Sequence, residues 1–346
     1  MTTLELFVPE ATRALPDGYS MRPATLDDLE ASVALFNACS RQLIGVNSST
    51  VESYRPEWQM PGLNLETDIQ VVVAPDGQIV GCMEVWDLSD PHVRIHTWGR
   101  VHPDHQGRGI GGALVTWAEA RARQAIDKAP AGARVFMQNG VLDADAAAQE
   151  LFRAAGFALV RYSWRMKIEL DGPPPAPQWP EGISVRPMRV GQDERAIVQA
   201  VRGSFRDHWG YVEPPFEEDL QRWLHFMNDD ADFDPSIWFL AMDGDEIAGI
   251  SLCWPKTNED PDMGWVGTLG VLRPWRRKGL GLALLRHSFG ELYRRGRRKV
   301  GLGVDAGSLT GATRLYERAG MRVYRQYNLY EKELRPGVDL STQSVE

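Results

Sequence analysis

Cysteine is scarce in this chain: three residues in 346, Cys39, Cys82 and Cys253. They lie far apart and no Cys-x-x-Cys pair occurs. The pattern excludes a disulfide framework and gives no basis for a zinc site, so no metal is expected. Each cysteine reads as a small buried hydrophobe. Basic charge is also short, with 38 Lys and Arg against 47 Asp and Glu, a net charge of −9. A protein that binds through bulk phosphate neutralisation needs the opposite balance, so nucleic acid is not an expected partner. No apolar run approaches the roughly 20 residues that span a bilayer, which argues against a membrane partner. The first twenty residues place acids and proline where a secretory leader has a basic start and an apolar core. A cytoplasmic location is therefore the expectation.

What is present is a repeat. The segment DGPPPAPQWPEG, residues 171–182, holds five prolines and two glycines. It supports neither a helix nor a central strand and reads as a linker. On either side of it the chain resembles itself in one order. YSMRPATLDDLEASVALFNA parallels ISVRPMRVGQDERAIVQAVR, and APDGQIVG parallels AMDGDEIAG. VHPDHQGRGIGGAL parallels VLRPWRRKGLGLAL, and ELFRAAGF parallels RLYERAGM. The closing segments 159–170 and 323–334 also correspond. Five matches in register indicate duplication. The expected organisation is a first domain over 1–170, the linker, and a second domain over 183–335.

Each half reads as an opening strand, a helix, and two strands meeting at Asp76-Gly77 or Asp243-Gly244, a strong hairpin signal. A further strand runs into a Gly-rich segment that opens a helix. In the second half that helix places Leu282, Leu285, Phe289 and Leu292 at helical spacing. A strand over Lys299–Val304 follows, then a short helix over Thr310–Ala319 stopped by Gly320. The expected class is α/β: two tandem folds, each a mixed, mostly antiparallel sheet flanked by helices.

The loop Arg276-Arg277-Lys278-Gly279-Leu280-Gly281 stands between strand and helix. Glycine lets backbone approach a ligand closely, and free N–H groups at a helix start favour an anion. Three consecutive cations reinforce that preference. Gln106-Gly107-Arg108-Gly109-Ile110-Gly111 occupies the same place in the first half with fewer cations. Neither loop is a Walker A or Rossmann motif. A tight turn with solvated cations is the alternative reading of either loop alone. The basic run at 294–299 sits at a helix C-terminus, where cations are favourable in any case.

The pattern Arg/Gln-x-x-Gly-x-Gly after a strand resembles the coenzyme A pyrophosphate loop of the GNAT acetyltransferase superfamily. The starts Val101 and Val271 fit, as does the segment from Val304 through Leu315-Tyr316 to Gly320-Met321. The resemblance covers roughly 19–170 and 183–334. The fused layout resembles the mycothiol-synthase-like branch. It implies acetyl-CoA as cosubstrate and a small-molecule amine as acceptor. It also implies a backbone donor for the thioester oxygen from Thr268, Leu269, Gly270 and Val271. Tyr316 takes the place of the family's general acid, whereas the first half has Phe152, which has no proton to give. The first domain is thus expected to be catalytically degenerate. Ser308 stands where relatives carry a cofactor-bonding Asn. At the family's base position stands Trp265; Glu259, Asp260, Asp262 and His208 remain as candidates, as does a water relay. The aromatic and polar segment 205–211 suits either a wall of the acceptor site or an interdomain contact. A non-catalytic CoA-binding or sensor protein is the competing reading, and monomer and homodimer are both open.

Overall fold

The computed structural model describes residues 15–344. Its contacts divide the chain into two compact units. Unit 1 holds residues 15–160 and Leu329–Asp339; unit 2 holds Arg161–Asn328 and residues 340–344.

Unit 1 runs β1 (Ser20–Pro23), α1 (Leu29–Ile44), α2 (Val51–Trp58), the single turn α3 (Leu65–Asp68), β2 (Ile69–Val73), β3 (Ile79–Trp86), β4 (Arg94–Val101), α4 (Ile110–Arg123), β5 (Val135–Leu142) and α5 (Ala146–Ala154). Next comes β6 (Ala158–Glu169), which belongs to unit 2 from Arg161 onward. Unit 2 continues with β7 (Ile183–Pro187), α6 (Glu194–Phe205), α7 (Phe216–Asp229), β8 (Trp238–Asp243), β9 (Glu246–Trp254), β10 (Met263–Val271), α8 (Leu280–Arg294), β11 (Lys299–Asp305), α9 (Ala312–Arg318) and β12 (Arg322–Arg335). From Leu329 onward β12 belongs to unit 1.

The strand order is β1-β2-β3-β4-β5-β12 in unit 1 and β7-β8-β9-β10-β11-β6 in unit 2. In each, one parallel pair, β4 with β5 or β10 with β11, sits among antiparallel neighbours. The duplicated sequence therefore gives duplicated sheets, with one exchange. Division at 171–182 follows the repeat, whereas division by contacts assigns the two closing strands crosswise.

Local chemistry repeats as well. Arg22 donates to both oxygens of Asp28 at 2.7 Å, and Arg186 donates to both oxygens of Asp193 at 2.6 and 2.9 Å. Each carboxylate also accepts a backbone N–H just before the helix, from Thr25 or Arg189. The guanidinium holds each carboxyl below its ordinary range. Both Asp-Gly turns form, with Gly77 at φ 88° and Gly244 at φ 58°. These are left-handed values that suit glycine.

Two readings shift. The buried stripe of α8 runs through Leu280, Leu284, Leu285, Phe289 and Leu292, and Leu282 is only half-buried. Helix α7 was not anticipated, although Leu220 and Met227 bury one face behind three acids in its first turn. That acidic start favours the helix dipole. All three cysteines are buried. No helix among the described residues is long and apolar enough to cross a membrane. The leader expectation rests largely on residues 1–14, outside the described residues.

Candidate active site

In unit 2, β10 pairs in parallel with β11 from Met263↔Lys299 to Val266↔Leu302 and no further. Both strands continue, β10 to Val271 and β11 to Asp305. The backbone edges beyond Val266 and Leu302 thus lose their ladder partners and must find others. The register of β10 against β9 also slips between Val266 and Thr268. Gly267 sits at that bulge, where an added Cβ would lie 2.4 Å from the Trp254 ring. The distortion thus falls at Gly267, three residues before Gly270. Gly270 has another reason, since a Cβ there would meet Ser204 Oγ of α6 at 2.3 Å.

A cavity of about 250 Å³ opens where the strands part. Val266, Gly267 and Leu269 line one side, and Leu302, Gly303, Val304 and Asp305 the other. Ser308, Ala312 and Tyr316, from α9 and the loop before it, and Phe205, His208 and Trp209, from the end of α6 and just after it, complete its lining. Tyr316 is buried, and burial pushes its hydroxyl up to about 12. It therefore keeps its proton at neutral pH. Among the described residues no hydrogen bond holds that hydroxyl.

The segment 205–211 is pinned from two directions. Gly210 N–H donates to Thr342 O at 2.8 Å, and Thr342 N–H donates to Tyr211 O at 2.9 Å. The buried carboxylate of Asp207 accepts from Arg273, in the turn before the Gly-rich loop, and from Arg276 at the start of that loop. Arg273, then Arg276, hold it well below the usual carboxylate range. Burial, then nearby Arg276, lower the pKa of His208.

The loop has the backbone shape of a cradle. Gly279 takes φ 87° and precedes α8, and no side chain caps that helix start. Its first N–H groups have no intrahelical acceptors, and the dipole makes them electropositive. Arg277 takes φ 62°, where unit 1 has Gly107 at φ 74°. Arg276 is not available as a ligand cation in the way the sequence suggests. Its guanidinium donates to Val271 O, Asp207 and Ser204 O. Only Arg277 and Lys278 of the three cations remain for an anion. Gly281 serves close packing, because a Cβ would meet Leu315 of α9 at 3.1 Å.

Unit 1 repeats this design with different contents. Gly109, at φ 85°, precedes α4, and Gly111 lies where a Cβ would meet Leu151 of α5 at 2.9 Å. The β4–β5 ladder ends at Thr97↔Asn139. There Asn139 Nδ2 donates to Thr97 O at 2.7 Å and bridges the strands. A cavity of about 380 Å³ is lined by Val101, Gln106, Gly107, Gly109, Ile110, Gly111 and Phe152, among others. Phe152 packs edge-on against Phe157 at 4.9 Å. Arg108 is occupied by Tyr19 and Asp104.

Of the residues singled out in unit 2, Leu269, Ser308 and Tyr316 share one cavity; Gly270, Val271 and Arg276–Gly281 are not in its lining. Ser308 Oγ is engaged locally, with Thr310 and the Ala312 N–H. Of the four base candidates only His208 reaches the cavity. Glu259 is held by both contacts to Arg325 and Asp260 by Lys299, while Asp262 lies in the adjoining turn. Trp265 instead carries Arg165 over its ring at 4.8 Å. The basic run at 294–299 is spent on Glu291, Asp234, Asp260 and backbone carbonyls. Sequence reasoning missed Gly267 and Asp207. A Gly two residues after Trp265 was a visible signal for a bulge, whereas nothing marked Asp207 apart from its neighbours.

Comparison with known proteins adds three kinds of match. A model of the Acetyltransferase (GNAT) family matches residues 198–321, and an Acetyltransferase (GNAT) domain model matches 67–159. A mycothiol acetyltransferase from Thermobispora bispora is 34% identical over 232 residues, covering 64% of this chain and 70% of the relative. A GCN5-related N-acetyltransferase structure from Sphaerobacter thermophilus is 39% identical with a TM-score of 0.77, covering 96% of this chain and 100% of that one. A tandem GNAT protein from the clavulanic acid biosynthesis pathway shares the fold, with a TM-score of 0.71 at 16% identity, over 92% of this chain and 99% of that one.

Proposed function

The chain belongs to the GNAT acetyltransferase family, and from that premise we propose that unit 2 transfers acetyl from acetyl-CoA to the primary amine of a small molecule. Membership makes the chain an acyltransferase with acetyl-CoA as its cosubstrate. The residues present fit that ligand. The uncapped start of α8 beside Arg277 and Lys278 suits a pyrophosphate, and the N–H groups of Arg277–Gly281 are assigned to it. The unpaired edge carrying Leu269, Gly270 and Val271 is assigned to the pantetheine arm. Its backbone donors, next to the Gly267 bulge, are assigned to the thioester oxygen.

Tyr316 is the observation that carries the reading. It is a hydroxyl that keeps its proton, with no hydrogen-bond partner among the described residues, in the lining of the cavity where the strands part. Its role is to give a proton to the departing thiolate. Unit 1 keeps the loop and the cavity but presents Phe152 there, and is assigned CoA binding without transfer. The relatives' name makes a mycothiol-related amine the first acceptor to try. Thiol release from acetyl-CoA is to be followed across a panel of small amines that includes it. Transfer is expected with at least one amine, and its loss in Gly279→Asp/Gly281→Asp. No transfer above hydrolysis with any amine would favour a non-catalytic CoA-binding protein instead. Transfer that survives in the double variant would place activity in unit 1.

A further inference from the structure

We propose that His208 is the general base of unit 2, taking the proton from the incoming ammonium in the cavity whose lining it shares with Tyr316. The inference rests on the amine-transfer reading above and names the residue which that reading leaves unassigned. At the position where family resemblance puts a base, this chain has Trp265, which cannot act as one, so the proton needs another acceptor within the same cavity.

Two titratable side chains other than Tyr316 line that cavity, His208 and Asp305. Asp305 is held by Arg161, whose Nε and Nη2 donate to its two oxygens at 2.9 and 2.8 Å, and it also accepts the Gly307 N–H. Protonating it would break that pair. His208 is placed differently. Its backbone N–H is fixed to Phe205 O at 2.9 Å and its ring packs on Phe205 at 4.3 Å. Among the described residues no hydrogen bond holds either ring nitrogen. The ring is therefore positioned by packing while its lone pair stays available.

Charged groups approach His208 from several elements. Arg276 on the loop disfavours its protonation, while Asp305 on β11 and Asp207 beside it favour it. Both carboxylates are already neutralised by arginines. Burial and Arg276 prevail, so the imidazole is neutral near pH 7 and able to accept a proton. Burial thus moves the two groups apart, keeping Tyr316 protonated and His208 unprotonated, the division an acid–base pair requires.

The step balances within this pair. His208 takes one proton from the ammonium. The freed nitrogen forms its bond to the acetyl carbon as the carbon–sulfur bond breaks. Tyr316 gives its phenolic proton to the sulfur and regains one from the acylated nitrogen. His208 then releases its proton to water, for a net yield of amide, thiol and one proton.

His208→Gln tests this with the amine found in the panel. Turnover is expected to fall about 100-fold or more. The acid limb of the kcat/KM profile, set by the imidazole in the wild type, should move up to the ionisation of the amine itself. Acetyl-CoA affinity by calorimetry is expected to stay within about threefold, which also reports on the fold. His208→Asn serves as the second variant should the first be unstable. An NMR titration of the ligand-free protein should show one imidazole, absent from the variant, that titrates below the ordinary histidine range. A variant with wild-type turnover and an unmoved acid limb would overturn the assignment alone. A wild type that acetylates no amine would overturn the amine-transfer reading and this one together.

Discussion

Replacing Tyr316 with Phe removes one oxygen and nothing else. That oxygen has no hydrogen-bond partner among the described residues, so its loss strands no donor or acceptor. The ring keeps its place on α9, and the usual penalty for an orphaned polar group, about 1–3 kcal/mol, does not arise. Stability should change by less than about 0.5 kcal/mol, the range of substitutions that disturb no specific partner. Turnover should respond on another scale. Loss of a positioned acid costs about 100- to 10,000-fold, which corresponds to roughly 3–5 kcal/mol of barrier. Urea unfolding, acetyl-CoA calorimetry and steady-state thiol release on one preparation read the three quantities. The expected result is unchanged unfolding, unchanged affinity and a kcat reduced at least 100-fold. A kcat within about threefold of wild type would remove Tyr316 from the mechanism. A reduced kcat accompanied by a large loss of stability would show that the hydroxyl has a structural partner, contrary to its position here.

Glu84, buried and accepting from Trp58 and Trp86 at 2.9 and 3.1 Å, is pushed up to about 7 by burial. Above about 4.5 the unfolded chain has released this proton and the folded one retains it. Stability should therefore fall by about 3 kcal/mol as pH rises from about 4.5 to about 7, and then level off. Glu84→Gln should flatten that slope in unfolding measured at several pH values. Asp207→Asn leaves Arg273 and Arg276 without their shared anion. Arg273 is largely exposed and rehydrates, so a cost of about 2–3 kcal/mol is expected, below the value for a fully buried pair, with a higher KM for acetyl-CoA. Arg277→Gly relieves a left-handed arginine and should stabilise unit 2 by up to about 1 kcal/mol in thermal unfolding. The same change should raise the acetyl-CoA KM severalfold by removing a loop cation.

The repeat, the hairpins and the Gly-rich loops were legible because they rest on short-range chemistry. Asp-Gly turns, a glycine at positive φ and a helix start are all set by residues within a few positions of one another. Tyr316 was legible only through resemblance, since a tyrosine beside Leu315 also fits plain packing. The fates of Arg276 and Ser308 were not legible. Which acceptor a guanidinium finds depends on Asp207, 69 residues away in sequence and close only after folding. The base candidates show the same limit. Glu259, Asp260, Asp262 and His208 were equivalent on paper until pairing with Arg325 and Lys299 engaged the first two.

The crosswise closing strands set an order of events during synthesis. Residues 15–160 of unit 1 leave the ribosome before unit 2, yet the last strand of unit 1, from Leu329 onward, is made only after Arg161–Asn328. At about 5–20 residues per second, translating the stretch between Val160 and Leu329 takes roughly ten to thirty seconds. Throughout that interval the outer edge of β5 is open, and an open edge is a template for pairing. The nearest competitor is built into the chain: β6 is the duplicate of β12 and emerges at once. The nascent protein therefore has a local pairing available early that the finished molecule does not keep. Cutting the gene at the proline-rich segment would make that early pairing the only one open to the first half.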